Sequence, residues 1–171
     1  MNPQLVYTFA LFTIMIVLAL AYAVRVIVHG RVHYDRVDRQ QGSILLAKGL
    51  MEMLYWGLQP LADLFILLRV SSNGVSFLSL ILGAVAGVSL VNGNFGAAGF
   101  FSAFSGILDA VDGLVARTTG TASNPGEVLD ASVDRYVEFL FFTWLIIFYS
   151  QEVQLVLLTL VALMGSFMVS Y

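Results

Sequence analysis

The chain of 171 residues has no cysteine, three prolines and only 11% charged residues. Without cysteine there are no disulfides and no thiol catalysis, and the redox compartment leaves no trace. A soluble domain carries about 25% charge and about 45–50% apolar residues. Here 59% of the residues are hydrophobic, and the mean hydropathy is +0.89. No water-soluble fold of this length hides that much apolar surface, so the solvent must be lipid. The net charge of -3 is small, and the placement of the charges matters more. The sequence has no internal repeat and no low-complexity stretch, and nothing in it points to a nucleic-acid partner.

What is present is a series of long apolar runs. Leu5 to Val28 is too long for a signal-peptide core and lacks a small-residue cleavage site, so it reads as a retained transmembrane helix. Val75 to Val91, Ala97 to Ala116, Ala131 to Tyr149 and Val153 to Tyr171 are long enough to cross or enter a bilayer. They must be helices, because an isolated strand leaves its backbone polar groups unsatisfied in lipid. The fold class predicted is therefore all-α, a polytopic membrane helix bundle. The basic residues are Arg25, Arg31, Arg36, Arg39, Lys48, Arg69, Arg117 and Arg135. With the N-terminus outside, all of them fall on the cytoplasmic side, as the positive-inside pattern requires. Arg25, near its helix end, can snorkel to the interface.

Ser43 to Leu68 differs from these runs. Lys48, Glu52, Gln59 and Asp63 share a helical face among Leu, Met, Phe, Trp and Ile. This predicts an amphipathic helix lying in the interface, bent or broken near Pro60; the competing reading is a sixth span. The organisation expected is 1–30 as an N-terminal transmembrane helix, 31–70 as a cytoplasmic connector with the interfacial helix, and 71–171 as a membrane core.

The chemistry lies in "LDAVDGLVARTTGTASNPGEVLDASVDRY". Asp109 and Asp112 are three apart at the end of one predicted helix. Asp130 and Asp134 are four apart at the start of the next. Residues at those spacings share a face, and the short polar link with its Asn-Pro-Gly turn makes the helices antiparallel neighbours. Four carboxylates can therefore converge. Ionisable groups at membrane depth are expensive and usually functional, and a bound cation removes their mutual repulsion. Oxygen-only ligands favour Mg²⁺, Mn²⁺ or Ca²⁺ over zinc or copper. Gly113, Ala116 and Gly126 leave room for a substrate against the backbone, and Arg117 can clamp a phosphate in its planar fork. The alternative is four solvated helix-end charges. That suits Asp130 and Asp134 at a helix N-terminus, but not Asp109 and Asp112 near a C-terminus.

These residues resemble the signature of the CDP-alcohol phosphatidyltransferases, D-x2-D-G-x2-A-R-x8-G-x3-D-x3-D. Asp109, Asp112, Gly113, Ala116, Arg117, Gly126, Asp130 and Asp134 match all eight fixed positions. The resemblance runs from about Pro60 to Tyr171. It includes "SSNGVS", where Ser72 stands in place of the family's usual proline. It implies that Asp109, Asp112, Asp130 and Asp134 hold a metal, Mg²⁺ or Mn²⁺, and that Asp134 is also the general base. It implies a cytidine pocket at Gly113, Ala116 and Gly126, with Arg117 on the pyrophosphate. The implied reaction moves a phosphatidyl-type group from a CDP-linked lipid donor to a small polar alcohol, releasing CMP. The implied setting is a homodimer in the cell's inner membrane with its active site facing the cytoplasm.

"LDASVDRY" is most similar to members that use inositol phosphate, which makes Arg135, together with Arg69, a candidate acceptor contact. The first apolar helix is extra relative to the usual six-helix core. The chain also ends at "MGSFMVSY", where related proteins continue, so a C-terminally truncated form is expected. Two other readings remain: a CDP-amino-alcohol:diacylglycerol phosphotransferase, and a non-catalytic cation-binding membrane protein. A cation path, however, needs no glycines, alanine and arginine at fixed offsets.

Overall fold

A computed structural model describes residues 3–30 and 48–169. Those residues form helices α1 (Pro3–His29), α2 (Lys48–Leu67), α3 (Ser72–Val91), α4 (Phe95–Thr118), α5 (Asn124–Phe148) and α6 (Val153–Val169). No strand occurs among them, in line with the all-α expectation. The connector, with Arg31, His33, Arg36 and Arg39, lies outside the described residues, as do the first residues of the expected interfacial helix and the chain end at Tyr171.

Among the described residues, three helices are long and apolar enough to cross a membrane: Gln4–His29, Ser72–Val91 and Phe95–Thr118. The protein is an integral membrane protein. Val153–Val169 is a shorter apolar helix. The first half of α5 is polar, carrying Glu127, Asp130, Asp134, Arg135 and Glu138, so its purely apolar stretch is shorter than the expected span.

The core lies where α2, α3 and α4 meet. Ala62, Val75, Leu108, Val111, Leu114 and Val115 are buried together there. The α3–α5 seam is set by small residues. A Cβ on Gly87 would lie 1.8 Å from Trp144 Cδ1, and one on Gly83 would lie 3.1 Å from Val137 Cγ1. The Gly83/Gly87 pair thus marks close helix packing, as small residues do in membranes. Trp144 is wedged into this seam. Gly106 on α4, by contrast, faces open space, because α4 turns Ser105 and Leu108 inward instead.

Helix α1 is docked rather than loose. Gln4 Nε2 donates to Gly93 O at 2.9 Å, and Tyr7 packs on Phe100 and Phe101. At its other end Arg25 Nη1 donates to Gly30 O at 2.9 Å. Its exposed Phe9, Phe12, Met15 and Ile27 suit a lipid solvent.

Helix α2 is not broken, and its polar face is partly covered. It runs unbroken through Pro60. Proline removes one hydrogen bond there, but Ala62, fully buried just beyond, holds that half of the helix on the core. Its polar face is also not uniformly wet. Gln59 and Asp63 bond to each other at the surface, whereas Glu52 is only 1% exposed and accepts from Tyr22 Oη at 3.3 Å. The extra helix α1 covers that carboxyl.

Candidate active site

Helices α4 and α5 are joined by a five-residue turn, which brings the end of one beside the start of the other. Asp109, Asp112 and Asp130 each offer a carboxylate oxygen, and the three oxygens lie within 4.8 Å of one another. Asp134 lies beside Asp109, and Asp130 beside Asp112, close enough for their charges to act on each other. All four aspartates singled out in the sequence therefore meet between two helices.

Each carboxylate has a distinct setting. Asp112 is 1% exposed and accepts from Ser76 Oγ at 2.5 Å. Ser76 is itself backed by α3: Ser79 Oγ donates to Ser76 O at 2.7 Å, and Ser105 Oγ donates to Ser79 O at 2.7 Å. Asp130 Oδ1 is buried with no hydrogen-bond partner among the described residues. Buried carboxylate oxygens are normally satisfied, and this one sits where a cation shared with Asp109 and Asp112 would satisfy it. Two oxygens across an octahedral Mg²⁺ ion are about 4.1 Å apart, and across Ca²⁺ about 5 Å. The observed spread fits a hard divalent ion with sub-ångström adjustment, and among the described residues no histidine or cysteine joins the group.

Beside the cluster opens a cavity of about 750 Å³. The ends of α2 and α4, the starts of α3 and α5, and the 119–123 turn form its wall. Asp112 and Asp130 belong to that wall, with Gly113, Ala116, Arg117 and Gly126. Asp109 and Asp134 do not, lying one helical turn deeper. Gly113 accommodates a neighbour, since a Cβ there would sit 3.0 Å from Arg117 Nη1. Arg117 sets its charge against Asp130. Two helix N-termini open on the same space, each capped by serine: Ser71 Oγ accepts from Gly74 N at 3.2 Å, and Ser123 Oγ from Gly126 N at 3.3 Å. Helix N-termini attract phosphate. The site thus sets carboxylates for a cation next to donors for an anion.

The two arginines considered for an acceptor separate. Arg69 borders the cavity. Arg135 is outside it, paired with Glu138 and lying 6.0 Å from the Phe167 ring. Sequence reasoning missed Ser76 and the cap Ser123. The stretch "SSNGVS" contained the first, but its partner Asp112 is 36 residues away, a pairing no local pattern reveals.

A membrane helix bundle with clustered carboxylates beside a nucleotide-sized cavity defines a class: metal-assisted phosphoryl-group chemistry at a bilayer. Residues 60–171 match the family model described as CDP-alcohol phosphatidyltransferase, and the chain belongs to that family. The family uses CDP-linked lipid donors, alcohol acceptors and divalent metal. The chain is 32% identical over 103 residues to the "Bifunctional IPC transferase and DIPP synthase" of Archaeoglobus fulgidus, covering 60% of this chain and 20% of that protein. It is 32% identical over 120 residues to the "Phosphatidylinositol phosphate synthase" of Corynebacterium glutamicum, covering 66% of this chain and 54% of that protein. An uncharacterised protein of Aquifex aeolicus is 33% identical over 116 residues, 67% of this chain and 59% of that protein. The chain therefore spans less than two thirds of the length of these relatives. No solved structure matches it.

Proposed function

We propose that the protein transfers a phosphatidyl-type group from a CDP-linked lipid to a small polar alcohol and releases CMP. The observation that carries this is the meeting of Asp109, Asp112 and Asp130, within 4.8 Å, at the edge of a cavity large enough for a nucleotide. Family membership supports it.

In this reading Asp109, Asp112 and Asp130 hold Mg²⁺ or Mn²⁺, with Asp134 able to contribute a further oxygen. The ion, when bound, neutralises charge on the pyrophosphate and on the departing CMP. Gly113, Ala116 and Gly126 line the cytidine site, and Arg117 binds the pyrophosphate. Asp134 takes the proton from the acceptor hydroxyl. That oxygen then bonds to the phosphorus that bears the lipid, and the bond from that phosphorus to the CMP oxygen breaks. Asp134 lies a turn deeper than the cavity wall, which supports attack from the side opposite the leaving nucleotide.

The acceptor we propose is a phosphorylated polyol such as inositol phosphate. The name of the corynebacterial relative supports it, as does Arg135, next to the proposed base. Arg135 must leave Glu138 to serve there. Arg69 borders the nucleotide cavity instead. We further propose the organisation 1–30, 31–70 and 71–171, a homodimer, and an inner-membrane location. The N-terminus would be outside and the site cytoplasmic, because the basic residues then all lie inside.

The test supplies the reconstituted protein with Mg²⁺ and either CDP-diacylglycerol with a panel of alcohols or a CDP-amino-alcohol with diacylglycerol, and measures CMP. Metal-dependent CMP release with a phosphorylated polyol is expected. Release only from a CDP-amino-alcohol with diacylglycerol, or none with any pair, would overturn the proposal.

A further inference from the structure

Four described helices end on a residue with positive φ. At three of them that residue is glycine: Gly30, Gly93 and Gly120, with φ of 78°, 72° and 67°. At the end of α2 it is Arg69, φ 57°, the one non-glycine in this conformation among the described residues. The hydrogen bonding is the same with either residue. Gly93 N bonds to Leu90 O and Asn94 N to Ser89 O; Gly120 N bonds to Arg117 O and Thr121 N to Ala116 O. At α2, Arg69 N bonds to Ile66 O and Val70 N to Phe65 O, both at 3.0 Å. This paired closure of a helix end normally places glycine at the left-handed position.

Arginine is strained there. Its Cβ crowds the following carbonyl, and it lacks the short polar side chain that lets Asn or Asp tolerate the conformation. No side-chain bond among the described residues offsets that strain. Arg69 is exposed, and no hydrogen bond or ion pair among the described residues engages its guanidinium. The side chain does border the cavity, on the α2–α3 turn next to the capped N-terminus of α3. Backbone strain of this kind clusters at active sites and ligand clamps.

We infer that Arg69 is a donor-binding residue, placed by its left-handed turn to take phosphate oxygens of the CDP group in its planar fork. The inference rests on the transferase reading, which puts the nucleotide in this cavity. The turn favours glycine, and the ligand favours arginine.

The test compares the protein with its Arg69→Gly, Arg69→Ala and Arg69→Lys variants in lipid nanodiscs. It reads the thermal midpoint and, by calorimetry with Mg²⁺, the affinity for CDP and separately for inositol phosphate. Arg69→Gly is expected to melt higher than the parent yet bind CDP roughly tenfold or more weakly, as loss of charge-assisted bonds implies. Arg69→Ala should lose the same affinity without the gain in stability, and Arg69→Lys should keep part of it. Full CDP affinity in the glycine variant, or a loss confined to inositol phosphate, overturns the inference alone. A parent protein that binds no CDP overturns the transferase reading as well.

Discussion

Ser76 Oγ donates to Asp112 Oδ2 at 2.5 Å across the α3–α4 interface, with both side chains buried. The bond ties a metal-ligand candidate to a helix that carries none of the four aspartates. It fixes one oxygen of Asp112, whose carboxylate lies against those of Asp109 and Asp130. Groups that orient a ligand in this way typically change metal affinity by about 10–100-fold when removed. Ser76→Ala should therefore raise the Mg²⁺ concentration needed for half-maximal activity by about that factor, with kcat at saturating metal nearly kept. Ser76→Thr should restore the parent value. An unmoved metal titration in the alanine variant would remove Ser76 from this role.

Asp112→Asn keeps the shape of the side chain and takes away its charge. Divalent-cation binding, measured directly by calorimetry, should weaken by at least the same order as for Ser76→Ala, since a ligand rather than its support is altered. A titration indistinguishable from the parent's would contradict the ligand assignment.

Asp134→Asn separates the proposed base from nucleotide binding. Turnover should fall by about 10²–10⁴-fold, the usual contribution of a positioned base. CDP affinity should change little, because Asp134 lies outside the cavity wall. Unchanged CMP release would exclude Asp134 as the base.

Gly87→Ala tests the seam that sets the distance between α3 and α5. The added carbon would overlap Trp144 at 1.8 Å, so the helices must part or the indole must move. Overpacking of this kind costs about 1–3 kcal/mol, and the thermal midpoint should drop accordingly. The double variant Gly87→Ala with Trp144→Leu should recover part of the loss; no recovery would place the strain elsewhere.

The sequence was informative where the physics is local. Lipid solvent follows from charge scarcity, and the four aspartates follow from helical spacing across one short turn. Helix α2 was legible as a helix, but burial settled details that its pattern left open. Glu52 stands at a polar spacing, yet Tyr22 from a helix 30 residues earlier covers it. Pro60 reads as a bend or a break, and the helix runs unbroken through it, with the fully buried Ala62 just beyond. Ser76 and the strain at Arg69 were hidden for the same reason. One needs a partner from another helix, and the other needs a backbone angle.

The account depends on one divalent ion held between α4 and α5. Crystals of the protein soaked in Mn²⁺ with CDP, measured at the manganese absorption edge, locate that ion directly. The prediction is an anomalous peak bonded to Asp109, Asp112 and Asp130 that disappears in Asp112→Asn. No peak there at saturating Mn²⁺, or a peak that ignores the substitution, would contradict it.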